Sequence, residues 1–274
     1  MFCEDLKQAN ELKQKYQLNE AYDNLDEFMD GLNAVIVNVK TKKAVEYIKK
    51  AQKAGKHVLY RFFEQPTLKQ IQSMIDTAKK KHLLLLDCMV PVYSQAFNQL
   101  MWMVECGRIG KVIHADCIVS NTDDSQLNKY YSVLYAVYVA SRICASTDFK
   151  YTTFKHKFSD DKYYLRASLE SKGVLIDLEI GEGIDLLPNI KILGEEGQIV
   201  VPNDWWNTGY FEIYHNGNPV PERHCYNYEG NGMRYILREA LIMLREDNYE
   251  TTRFSNEYAM ALYQACKNIT EKVK

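Results

Sequence analysis

Ala34-Val35-Ile36-Val37-Asn38-Val39 is the stretch on which the fold turns. It is too short for a core helix and rich in β-branched residues, so it predicts a strand buried in a parallel sheet. Residues 42–54 then repeat their apolar side chains at helical spacing and stop at Gly55, a plausible helix terminator. His57-Val58-Leu59-Tyr60 predicts a second strand. Residues 67–81 predict a helix with Leu68, Ile71, Met74, Ile75 and Ala78 as its buried stripe. Another strand follows at 83–88 (LLLLDC), and a helix at 93–106 ends at Gly107. Strict strand–helix alternation implies a parallel sheet with right-handed crossovers. Upstream, 4–16 predicts a helix with Leu6, Ala9, Leu12 and Tyr16 on one face, and 25–32 a short one ending near Gly31. Met1-Phe2-Cys3-Glu4-Asp5 resembles the end of an earlier strand.

From Lys111 the texture changes. Residues 111–119, 150–158, 161–170, 173–180, 189–193 and 197–201 alternate like strands of an antiparallel sheet, with one helix at 127–145 inserted after the first. Helices at 233–246 and 255–271 close the chain. The expected class is α/β followed by α+β, with domains at 1–112 and 113–274.

Composition excludes several functions. A net charge of −2 gives no nucleic acid or anionic membrane as the main partner. No apolar run approaches the roughly 20 residues of a membrane span. The N-terminus lacks the basic and apolar pattern of a secretory leader. Seven scattered cysteines (3, 88, 106, 117, 144, 225, 266) contain no C-x-x-C, which fits a reduced cytoplasmic compartment. The six histidines (57, 82, 114, 156, 215, 224) show no metal-ligand spacing, so no metal is expected.

Four segments in order resemble the Gfo/Idh/MocA family of NAD(P)-dependent oxidoreductases, in its dihydrodiol-dehydrogenase-like branch. They are Ala54-Gly55-Lys56-His57-Val58-Leu59, Gly107-Arg108-Ile109-Gly110-Lys111-Val112, Ile192-Leu193-Gly194-Glu195-Glu196-Gly197-Gln198-Ile199 and Tyr228-Glu229-Gly230-Asn231-Gly232-Met233. The resemblance implies a Rossmann-like domain, a second α/β domain whose sheet often forms a homodimer face, NAD or NADP as cofactor, and a small carbohydrate as ligand.

The functional positions depart from the family's pattern. No Gly-x-Gly-x-x-Gly occurs, so the expected Rossmann-like parallel sheet is incomplete, lacking its first strand and phosphate turn. Where the family carries Glu-Lys-Pro, this chain has Arg61, Phe62 and Phe63, and a phenyl ring can neither donate a proton nor hold a hydroxyl. Lys40, Ala44 and Val92 occupy three further family positions. Residues 125–147 contain neither Asp nor His, so the family's Asp-x-x-x-His proton-transfer pair is missing. Tyr131 and Tyr135 fall at the aligned places, and the favoured reading is that Tyr130, Tyr131, Tyr135 and Tyr138 form one packed amphipathic face.

Lys40 and Arg61 are the candidate cofactor-binding cations, with Glu4 or Asp5 where a ribose hydroxyl would be contacted. Tyr151 and Lys155 match a Tyr-x-x-x-Lys pair, but on a strand, which favours chance. Trp205, Trp206, Tyr210 and Phe211 suit packing better than sugar stacking. The losses together predict a catalytically impaired homologue with a binding or scaffold role, unstable alone or partner-dependent. The alternative is an oxidoreductase of a sugar or cyclic diol, active from a longer chain.

Overall fold

Strand pairing divides the chain into two sheets. The structure, a computed structural model, describes residues 1–39, 43–122, 127–160, 162–202 and 204–271. The first sheet is parallel, in the order β1 (Ala34–Asn38), β2 (His57–Arg61), β3 (Leu85–Asp87). Its crossovers are α3 (Ala44–Lys53) and α4 (Leu68–Lys81), preceded by α1 (Leu6–Tyr16) and α2 (Leu25–Met29). The alternation expected from the sequence is present. Helix α4 opens on a reciprocal capping box between Thr67 and Gln70 and closes on His82 in left-handed conformation. Its stripe Ile71, Met74, Ile75 and Ala78 is buried.

Three local expectations need correction. The strand at 34–39 is not buried on both faces: Val35 and Val37 are buried, but Ala34, Ile36 and Asn38 are exposed, because successive side chains point to opposite faces and one of those faces is left uncovered. On α1 only Ala9 is buried, while Leu6 and Tyr16 face solvent. The helix expected at 93–106 is present but starts two residues later, as α6 (Gln95–Glu105), because Ser94 is extended and caps it through its hydroxyl, which accepts from Phe97 N; a separate short helix, α5 (Val90–Tyr93), precedes it.

The second sheet has eight strands: β4 (Val112–Asn121), β5 (Lys150–Lys157), β6 (Tyr163–Ser171), β7 (Val174–Glu182), β8 (Asn189–Gly194), β9 (Gly197–Pro202), β10 (Tyr210–His215) and β11 (Glu222–Cys225). Their order is β11-β10-β9-β8-β4-β7-β6-β5. The expectation of antiparallel pairing holds except at the centre, where β4 and β7 run parallel across the long crossover between them. Strands β10 and β11 escaped the sequence reading, although Phe211 and Ile213 alternate with outward residues.

One face of this sheet packs on α7 (Lys129–Cys144), which also meets α6 and α9 (Asn256–Glu271). Enclosed on several sides, α7 is buried nearly all round, so its four tyrosines are not one amphipathic face but spread through the core. Helix α8 (Met233–Arg245) packs on α5.

Two of the quoted glycine segments meet in space. Gly110 sits at φ 72°, and a Cβ there would press on Glu196 Cγ at 3.0 Å. A Cβ at Gly194 would overlap the Ile109 carbonyl oxygen. Glu196 N and Glu195 N donate to Ile109 O (2.9 Å) and Lys111 O (3.0 Å), which locks the 107–111 segment onto the β8–β9 hairpin.

Candidate functional site

The parallel strands β2 and β3 end on Arg61 and Asp87, at the edge of an open sheet where ligands usually bind. Asp87 is 3% exposed and accepts hydrogen bonds from the Tyr131 and Tyr263 hydroxyls. The Tyr263 hydroxyl also lies 3.2 Å from that of Tyr60. The Arg61 guanidinium stands 4.8 Å from the Tyr131 ring centroid. Burial pushes the Asp87 carboxyl up to about 6, against the pull of the two phenol hydrogen bonds and the Arg61 charge. Burial and the Asp87 charge push Tyr131 well above the ordinary phenol range. Tyr135, mainly through burial, is pushed up to about 12, and its oxygen accepts from Val90 N at 3.3 Å.

Phe62 is 1% exposed, its ring 4.7 Å from that of Tyr60. Its carbonyl accepts from Asn128 Nδ2 at 2.9 Å. Asn128 Oδ1 in turn caps α7 by accepting from Tyr130 N and Tyr131 N, so one amide ties the end of β2 to the start of α7. The fold thus gathers Arg61, Phe62, Tyr131 and Tyr135 around Asp87.

Glu4 and Asp5 lie apart from that cluster. Asp5 is spent capping α1. Glu4 pairs with Lys43 at 2.6 Å and accepts from the Tyr47 hydroxyl at 2.6 Å, and these contacts hold its carboxyl below the usual range. Lys40 lies outside the described residues.

Sequence reasoning missed Asp87, Tyr263 and Asn128. The available signal for Asp87 was a lone acid closing an apolar LLLLDC run, which has to find partners once buried.

Beside the cluster opens a cavity of about 260 Å³, lined among others by Glu64, Gln65, Lys129, Tyr130, Lys155 and Tyr163. Lys129 and Lys155 place their ammonium groups 4.9 and 4.3 Å from the Tyr163 ring centroid. Burial, then the charges of Lys129 and Lys157, holds the Lys155 pKa down. Two cations, an aromatic face and an amide suit a hydroxyl-rich ligand that carries negative charge. Lys155 lies on β5, so the Tyr151–Lys155 spacing is a strand spacing, as the sequence reading had it.

Other singled-out residues are structural. His57 Nδ1 accepts from Leu84 N at 3.0 Å. Trp205, Trp206 and Phe211 are buried in the core. No metal set was legible in the histidine spacing, yet pairing of β4 with β7 brings His114, Asp116 and Asp177 together, their ligand atoms within 4.8 Å. Asp177 there accepts from Ser168 and pairs with His114 (3.3 Å) and Arg166 (3.5 Å), as in an ordinary ion-pair cluster.

Residues 2–87 match the model of GFO_IDH_MocA, described as an oxidoreductase family with an NAD-binding Rossmann fold. No curated protein matches the chain. Among solved structures, the chain is similar to KijD10, a 3-ketoreductase from Actinomadura kijaniata in complex with NADP and TDP-benzene. The TM-score is 0.83 at 16% identity, covering 100% of this chain and 88% of that one. It is also similar to the UDP-N-acetylglucosamine 3-dehydrogenase GnnA from Acidithiobacillus ferrooxidans (TM-score 0.78, 13% identity, 99% and 88% covered). A levoglucosan dehydrogenase in complex with NADH and levoglucosan gives TM-score 0.77 at 14% identity, with 99% and 87% covered. At these identities the likeness establishes the two-sheet fold.

The family description implies a dinucleotide, and the described residues do not fit its pyrophosphate. The helices that follow β1, β2 and β3 start on Lys43, Thr67 and Met89, none a glycine that would let the backbone approach a phosphate. Glu4, the ribose candidate, is already engaged by Lys43 and Tyr47.

Proposed function

We propose, from the match of residues 2–87 to the Gfo/Idh/MocA oxidoreductase family, that this chain binds a small carbohydrate carrying negative charge and does not itself transfer hydride. One observation carries the reading: the groups at the family's proton-handling positions are sealed. Phe62, Tyr131 and Tyr135 are 1%, 0% and 1% exposed, and the Tyr131 proton is held by Asp87. Proton exchange with a substrate hydroxyl requires a group within hydrogen-bond reach of it. The ligand site in this reading is the cavity with Lys129, Lys155 and Tyr163.

Calorimetric titration of the folded protein tests it. No binding is expected with NAD(H) or NADP(H) at millimolar concentration, and saturable binding is expected with a sugar phosphate or nucleotide sugar. Replacing Lys129 and Lys155 together with Ala should weaken the sugar ligand without unfolding the protein. Micromolar binding of a nicotinamide dinucleotide would overturn the reading.

The second reading, an oxidoreductase of a sugar or cyclic diol active from a longer chain, draws support from KijD10, of which about an eighth is unmatched. Cofactor-dependent turnover by a longer chain would establish it. The proposed organisation is two domains, 1–112 and 113–274, paired as a homodimer through the open face of the eight-stranded sheet, where Phe154, Leu175 and Leu193 are exposed. Light scattering at twice the monomer mass would support the pairing. Seven free thiols suit a reducing cytoplasm, and among the described residues no helix is long and apolar enough to cross a membrane.

A further inference from the structure

Tyr93 carries a buried hydroxyl with no hydrogen-bond partner among the described residues. The residue is 8% exposed and closes α5, where it lines a groove of about 420 Å³ between α6, α8 and Arg253. Burial, then the charges of Asp87 and Glu239, hold its phenol well above the ordinary range, so the group stays a neutral donor. The corner that carries it is fixed from both sides. Ser94 N donates to Val90 O (3.1 Å), and Asn98 Nδ2 donates to Val92 O and Ser94 O at 2.8 Å each. A buried hydroxyl left unpaired destabilises the fold, and a partner entering from the groove would relieve it.

The rest of the groove supplies further donors. Gln95 opens α6, an 11-residue helix whose first amides lack partners within the helix, and the dipole there favours negative charge. Ser94 Oγ takes the amide of Phe97. From α8, the Arg238 guanidinium has no hydrogen-bond or ion-pair partner among the described residues. Arg253 Nε lies 3.5 Å from Glu239 Oε1, which leaves its Nη groups to donate elsewhere. Glu239 is the one acid in the described wall, against two arginines. Tyr235 and Ile242 add apolar surface beside them.

We propose that this groove is a binding site for a small organic phosphate, separate from the cavity beside Tyr163. Arg238, Arg253, the first turn of α6 and the Tyr93 hydroxyl hold the phosphate group. These donors come from four separate segments of chain. A carboxylate offers them two oxygens in one plane, whereas a phosphate offers three oxygens and about two charges. The groove is larger than a bare phosphate and falls within the size range of small-ligand sites, which leaves Tyr235 and Ile242 to meet the organic part.

Calorimetric titration of the intact protein with phenyl phosphate, inorganic phosphate and succinate tests it. Saturable binding is expected with phenyl phosphate, weaker binding with inorganic phosphate and the weakest with succinate. Arg238→Gln should weaken phenyl phosphate about tenfold or more. Tyr93→Phe should weaken it about fivefold, while the free protein melts no lower because the lost hydroxyl had no partner. A protein with Lys129→Ala and Lys155→Ala should keep this binding. Binding lost with that lysine pair and kept in Arg238→Gln would overturn the proposal, because the phosphate would then sit in the other cavity. No saturable binding of phenyl phosphate, an unchanged affinity in Tyr93→Phe, or a preference for succinate would overturn it too. The proposed function rests on the lysine pair, so it stands or falls separately.

Discussion

In the eight-stranded sheet β4 has a partner on each side, β7 in parallel and β8 antiparallel, whereas β1 in the three-stranded sheet pairs, among the described residues, with β2 alone. Both strands alternate: Ala115, Cys117 and Val119 of β4 are completely buried and Val35 and Val37 of β1 nearly so, while Ile113 and Ile36 are 48% and 47% exposed, so the two differ in lateral partners and not in the burial of their faces. Apolar patterning fixes that a segment is a strand; the number of neighbours fixes how much it stabilises.

Side-chain deletions should separate the halves most. Trp205 is fully buried against Phe97 and Tyr135, and its indole donates to Ile118 O at 3.0 Å. Trp205→Ala should cost about 3–5 kcal/mol in urea unfolding. Phe2→Ala, which removes a half-buried ring packed on Phe28 and Tyr47, should cost about 1 kcal/mol. Equal losses would erase the contrast.

Backbone deletions probe the edges directly. Glu179→Pro breaks a ladder that β7 shares with both β4 and β6, and should cost about 3 kcal/mol or more. Ile36→Pro removes an N–H on the side of β1 away from β2 and should cost well under ~1 kcal/mol. Thermal melts of the two variants decide it, and a large loss for Ile36→Pro would mean that the β1 edge is already occupied.

A pH series sharpens the contrast where the two halves meet. The Asp87 carboxyl titrates at about 6 in the folded chain, above its unfolded value of about 3.9. The folded state therefore holds the proton more tightly. Its contribution to stability is complete below pH ~4 and is lost as pH rises through ~6, by roughly 3 kcal/mol. Asp87→Asn should flatten that segment of the stability profile. An unchanged slope would show that another group titrates there.

Much of the fold was legible because local rules and tertiary context agree. The stripe of α4, the terminal glycines and the period-two strands 163–171 and 174–182 each encode their structure within a few residues. The site was only half legible. Arg61, Phe62, Tyr131 and Tyr135 were singled out and do converge, but the group that organises them, Asp87, looked like the end of a leucine run. Tyr263, its other donor, lies 176 residues away, a distance no local pattern spans.

By itself the sequence determined the alternation of strands and helices, the change of texture near residue 111, and the residue types at Arg61, Phe62, Tyr131 and Tyr135. These are matters of residue type and spacing, which the chain carries locally. Tertiary structure alone decided that β1 buries one face and not both, that α7 is enclosed on nearly every side, and that an aspartate is buried between two tyrosine hydroxyls. Burial, hydrogen-bond partners and shifted acidity depend on what distant segments bring within a few ångströms, and that is settled only when the two sheets pack together.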